Sequence, residues 1–144
     1  TAGMSYLPWA LGALVAYTFV PLLMRVATTG SEAIPSDVAT IISNSILVVG
    51  ALGVVVGTDQ RVTPHLGSSK LPYAVAAGIC LAAGILAYYR ALSLGPVSVV
   101  TPVFGLFLVT SSIFGMAFLG ESVTVRKIAG IGCAVLAVYL VTVE

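Results

Sequence analysis

Five apolar stretches of membrane-spanning length, separated by short polar breaks, constrain this chain more than anything else in it: residues 6–24, 38–57, 72–90, 97–119 and 128–143. A bilayer core of about 30 Å takes roughly 20 apolar residues per helix, and the backbone of each span must satisfy its own hydrogen bonds. Arg90, at the end of the third stretch, is the one charged residue they contain. With 59% hydrophobic and 8% charged residues, the chain lies far from the soluble average of roughly 45–50% apolar and about 25% charged. The expected fold class is an all-α integral membrane protein with five transmembrane helices. The six Lys and Arg nearly balance the five acids, so there is no basic field for nucleic acid and no acidic tail.

Local signals place the span ends. Tyr6 and Trp9 fall at interface level at the start of the first span, Pro21 predicts a kink at its far end, and Arg25 is read as its stop. Gly30, Ser31, Glu32 and Pro35 form a polar linker to Ser36, the expected N-cap of span two, with Asp37 in its first turn. Residues 58–70, with Asp59, Arg61, Pro64, His65, Gly67 and Lys70, are too polar for the bilayer and read as a surface loop. Pro72 suits the first turn of span three, and Gly95 with Pro96 makes the turn into span four. Thr101-Pro102 lies in the first turns of span four, and residues 121–127 form the last short loop before span five.

Cys80 and Cys133 sit inside apolar runs and read as small buried residues, and His65 reads as a solvated loop histidine. No basic region precedes the first apolar run, which argues against a cleaved signal peptide, and Met4 reads as the natural start. Small residues recur four apart: Gly12 and Ala16, Gly53 and Gly57, Ala74, Gly78 and Ala82, Ser111 and Gly115, Gly130 and Ala134. That spacing predicts close helix packing inside one bundle, with subunit contact as the alternative.

One ordered set of residues carries a family resemblance. Tyr88, Ala91, Leu92, Pro96, Thr101, Pro102, Gly120, Glu121 and Gly130, within residues 86–132, resemble the consensus of the EamA-type repeat of the drug/metabolite transporter superfamily. The flanking spans fit the same five-helix repeat, so the resemblance covers nearly the whole chain as a single domain, residues 1–144. Members of that superfamily mostly resemble two such units in tandem, the second inverted by the odd number of spans. The resemblance therefore implies that this chain is one half of an inverted-repeat transporter. Sites in such proteins lie between repeats near the midplane, so a second chain is implied. The expected partner is a homodimer, possibly antiparallel, and a paralogue of opposite orientation is the alternative.

Five spans put the termini on opposite sides. Arg61, Lys70, Arg126 and Lys127 share the side of Met4, and Arg25 and Arg90 lie on the other. The excess predicts a cytoplasmic N-terminus in a multi-pass cell-membrane protein.

Every acid falls at a span end or in a loop: Glu32, Asp37, Asp59, Glu121 and Glu144. The first span lacks the membrane-embedded glutamate of the small multidrug resistance branch, which argues against proton-coupled export of organic cations. Glu121 reads as structural, beside Arg126 and Lys127. The spans do carry uncharged polar groups: Tyr17, Thr18, Thr40, Ser43, Asn44, Ser45, Tyr88, Tyr89, Thr101, Thr110, Ser111 and Ser112. The substrate-binding candidates are Tyr17, Thr40, Ser43, Asn44, Tyr88, Tyr89, Arg90, Thr101 and Ser111. Each hydroxyl can instead bond its own helix, and the tyrosines can serve the core. Asn44 is expected either to face a cavity or to bond across helices, its stripe with Thr40 and Ser43 opposing Ile42, Ile46 and Val49. Arg25 and Arg90 either snorkel to headgroups or form a cationic entrance for anionic or zwitterionic solutes. Nothing resembles a nucleophile with its base, a phosphate loop or a metal site, so neither an enzyme nor a cofactor is expected. The function expected is transport of a small metabolite, an amino acid or similar polar solute, by alternating access. A non-transporting membrane scaffold or accessory subunit, or a channel, is the alternative.

Overall fold

The computed structural model describes residues 5–143, so the expectations for Met4 and Glu144 lie outside the described residues. Five long helices follow one another: α1 (Leu7–Thr28), α2 (Ser36–Gly57), α3 (Leu71–Leu94), α4 (Val97–Phe118) and α5 (Val125–Thr142). All five have the length and hydropathy of a membrane span. One 3₁₀ turn, Thr63–Gly67, interrupts the loop between α2 and α3. The chain divides into two compact units between Ser93 and Leu94.

In the first unit, α1 and α2 pack together, and Ile34 N–H closes their connection on the Ala27 carbonyl at 2.8 Å. Buried side chains concentrate at one end of the unit. They are Pro21, Met24 and Thr28 in the last turns of α1, Ala39 in the first turn of α2, and Tyr88, Tyr89 and Leu92 near the end of α3. Leu92 is fully buried. At the same end, Arg25 Nη1 donates to the Leu92 carbonyl at 2.7 Å. In a continued helix that carbonyl would accept from residue 96, but Pro96 has no N–H to give. The guanidinium takes the vacant place and sets a positive charge at the negative end of the α3 dipole.

That bond revises two expectations. Arg25 does not stop α1, which runs on to Thr28. Nor is its head given wholly to the headgroups, since one of its five N–H donors, on Nη1, goes to α3. The added turn of α1 is supported by the Thr28 and Thr29 hydroxyls, which donate to the Met24 and Arg25 carbonyls at 2.8 and 2.6 Å. Likewise α3 runs past Arg90 to Leu94, ending only where proline forces it to.

Pro35, not Ser36, is the N-cap of α2; with φ −55° and ψ 140° it is the last residue outside the helix. Ser36 is already helical, and its carbonyl accepts the Thr40 hydroxyl at 2.8 Å. The second unit is the α4–α5 hairpin, the most closely packed helix pair among the described residues. Its turn uses Gly120 at φ +70°, a left-handed conformation that glycine adopts without strain. α5 begins at Val125, three residues earlier than expected, because the Thr124 side chain caps it by accepting Lys127 N–H at 3.2 Å.

Most of the glycines among the small residues spaced four apart have no neighbour close against them. A Cβ added at Gly12, Gly53, Gly57, Gly78 or Gly130 would meet nothing within 4 Å, whereas at Gly115 it would meet the Glu121 side chain. Cys80 and Cys133 are exposed rather than buried. Both departures have one cause: a single chain of this kind leaves most of each helix surface for lipid or for another chain to cover.

The loop between α2 and α3 carries Arg61 and Lys70, two of the four basic residues on which the expected orientation rests. Lys70 places its ammonium 5.6 Å from the centre of the Tyr73 ring, a pairing suited to the headgroup level. Ser68 accepts Lys70 N–H at 3.2 Å, so the neighbouring exposed Ser69 is the better reporter. With Cys80→Ala and Cys133→Ala in the background, Ser69→Cys is expected to react with an impermeant maleimide from the cytoplasmic side. Exclusive labelling from outside would reverse the topology, and labelling from both sides would mean dual insertion.

Candidate functional site between α2 and α3

Helical periodicity places Thr40, Ser43 and Asn44 on one stripe of α2, and all three are half-buried, whereas Ile42, Ile46 and Val49 are exposed. Ser45 is also exposed and donates to the Ile41 carbonyl at 2.6 Å, which removes it from the stripe. The Thr40 carbonyl collects two side-chain donors, Ser43 Oγ at 3.2 Å and Asn44 Nδ2 at 2.9 Å. Asn44 Nδ2 also lies 3.5 Å from Ser43 Oγ. The amide therefore bonds within its own helix and not across helices. Its donors are turned back on α2, and the carbonyl oxygen Oδ1 is left to accept.

What Asn44 and Thr40 face is a cavity of about 380 Å³ between α2 and α3, whose other wall includes Gly78, Ala82, Ile85 and Leu86. Gly78 and Ala82, read from sequence as packing residues, here widen a groove. A large side chain at either position would fill it. The groove holds no charge; it offers acceptor oxygens on an apolar floor, a lining suited to orienting a small solute through its own donors.

The other candidates are dispersed. Tyr88 and Tyr89 are 7% and 6% exposed, with ring centroids 6.0 Å apart, and belong to the buried end of the first unit and not to this groove. Tyr17 on α1 is 68% exposed. Arg90 is exposed, and its carbonyl accepts the Ser93 hydroxyl at 2.6 Å. Thr101, half-buried, and Ser111, exposed, lie in the second unit. Thr18, Thr110 and Ser112 donate to carbonyls three or four residues earlier in their own helices.

Sequence reasoning missed two side-chain placements. The Arg25 bond to Leu92 was foreshadowed by Pro96 four residues after Leu92. The Glu121 carboxylate lies against Gly115, and the Lys127 ammonium donates to the Ser122 carbonyl at 2.7 Å. A glycine one turn before a glycine-glutamate turn was the available signal.

Five apolar helices, a proline-ended α3 and an uncharged polar groove define a multi-pass helical membrane protein with a solute-sized recess. Residues 4–143 match the EamA-like transporter family, and the chain belongs to that family. It is also 32% identical over 141 residues to an uncharacterized transporter in the cobO 3' region of a Sinorhizobium species, a match covering 91% of this chain and 97% of that protein. No solved structure matches the chain. The protein is thus a membrane transporter by family, its five helices lying within the matched residues.

Proposed function

We propose that the protein moves a small polar metabolite, an amino acid or similar solute, across the cell membrane by alternating access, with two chains completing the pathway. The observation that carries this reading is the half-buried Thr40–Ser43–Asn44 stripe, of which Thr40 and Asn44 line the groove against Gly78 and Ala82. Val38–Gly57, the apolar part of α2, is centred near Leu47, so Asn44 lies about three residues, or roughly 4.5 Å, from the span centre. Inverted-repeat transporters place their substrate sites near the bilayer midplane, the depth at which Asn44 lies. Thr101 and Ser111 remain candidates for the second unit's share of the pathway, whereas Tyr88 and Tyr89 are buried near the end of α3 and do not line the α2–α3 groove. The exposed helix faces, small residues included, favour a second copy of the chain, parallel or antiparallel, over a chain acting alone.

Two measurements on purified protein in lipid vesicles test this. Saturable uptake of at least one radiolabelled amino acid or polar neutral solute is expected. Reaction with a bifunctional amine cross-linker in the bilayer should give a dimer band at low protein-to-lipid ratio. Absence of uptake across such a panel, with the dimer intact, would favour the scaffold reading.

A further inference from the structure

The second unit contains a recess of its own. Along the α4–α5 hairpin, Ser112 and Met116 of α4, Gly130 of α5, and the two charged residues Glu121 and Lys127 line a cavity of about 380 Å³. Glu121 reaches it because the turn at Gly120 sends the chain back and Gly115 has no side chain in the way. A Cβ at Gly115 would lie 3.0 Å from Glu121 Oε2 and 3.3 Å from its carboxyl carbon. The carboxylate is thereby drawn along α4 to the level of Gly115, where the helix is ending. Leu119 N–H takes the Gly115 carbonyl at 3.1 Å; the carbonyls beyond it have no intrahelical donor and form the negative end of the α4 dipole.

Across the turn the polarity reverses. α5 starts at Val125, and its first N–H groups form a positive helix end. Thr124 occupies only the Lys127 N–H. The Lys127 ammonium is held at this end by the Ser122 carbonyl and hydroxyl, at 2.7 and 3.3 Å. That leaves one of its three N–H donors for a ligand. One recess is thus lined by an exposed carboxylate near a helix C-terminus and an exposed ammonium near a helix N-terminus.

We propose that this cavity docks a zwitterionic solute of the amino-acid type, its ammonium on Glu121 and the end of α4, its carboxylate on Lys127 and the start of α5. The proposal rests on the transporter reading and narrows its substrate to a molecule carrying both charges. It sets a docking station at the α4–α5 turn of the second unit. A solute with one charge would leave one of the two sites unmatched, so recognition is of the pair. Gly115 is a positioning residue here, since it acts only by letting the carboxylate lie where it does.

The test uses the full chain in lipid vesicles with radiolabelled L-alanine and L-serine, and with unlabelled ethanolamine, lactate and sorbitol as competitors. Zwitterions are expected to compete, and the solutes lacking one or both charges to compete at least about tenfold more weakly. Glu121→Gln and Lys127→Gln should each raise KM about tenfold or more, with kcat within about twofold and an unchanged thermal midpoint. Gly115→Ala keeps both charges but displaces the carboxylate, so it should raise KM in the same direction, and its KM decides the matter should Glu121→Gln fail to insert. Wild-type KM in Glu121→Gln, Lys127→Gln or Gly115→Ala overturns the proposal. Uptake of sorbitol but of no zwitterion overturns it too, while leaving the transporter reading in place. Zwitterion uptake that needs Asn44 but neither Glu121 nor Lys127 has the same meaning.

Discussion

Asn44→Leu is expected to lower uptake at subsaturating solute about tenfold or more, the cost of one missing hydrogen-bond acceptor in a site sheltered from water. Insertion and dimerisation should survive. The side chain bonds only the Thr40 carbonyl and Ser43 of its own helix. Leucine therefore breaks no contact between helices, and the Thr40 carbonyl retains the Ser43 hydroxyl. An amide that glued helices together would contribute about 0.6 kcal/mol on average in a membrane, and its loss would show as lower stability with uptake largely kept. The two roles thus predict opposite pairs of results in uptake and in thermal denaturation. Full uptake by a well-folded Asn44→Leu protein would remove α2 from the pathway. Gly78→Leu offers an independent check, because a Cβ there meets no neighbouring atom within 4 Å and the larger side chain would extend into the groove.

Arg25→Met should produce the largest loss of stability, about 1.5–3 kcal/mol, the range for a hydrogen bond to a charged group whose partner is left without a donor. The partner is the carbonyl of Leu92, the fully buried residue of the first unit. Pro96 supplies no backbone N–H in its place. Methionine matches the aliphatic stem of Arg25, which separates the lost bond from lost packing. Arg25→Lys keeps the charge near the end of α3 but replaces a planar fork with a shorter, freely rotating ammonium, so it should recover only part of the loss. Thermal unfolding in detergent, followed by helical circular dichroism, reads the series. Equal stability in all three proteins would mean that the α3 end is held by burial alone. Hydrogen exchange at Leu94 and Ser93 would localise the effect, since fraying should start at the unbonded end.

How much of this was legible in the chain follows from the range of each interaction. The five spans, the α3–α4 turn and the family could be read from residues 6–143 alone, because apolar runs of bilayer length and a proline after a glycine act within one or two turns of chain. The half-buried stripe on α2 was readable for the same reason: a period of 3.6 residues sets which side chains share a face, whatever lies opposite. Helix ends were less legible. Thr124 signals its cap locally, but α1 outlasts Arg25 because the guanidinium is drawn to Leu92, sixty-seven residues away. Spacing could not distinguish Gly78, which borders a cavity, from Gly115, which seats a carboxylate, since both look like small residues four from another. Whether a small residue closes a contact or opens a recess depends on the element across from it, and a sequence pattern specifies only its own helix. Tertiary structure alone decided that Asn44 faces a groove while Tyr88 and Tyr89 are buried, and that Glu121 and Lys127 share one cavity, because each is a distance between segments that the local chain does not determine.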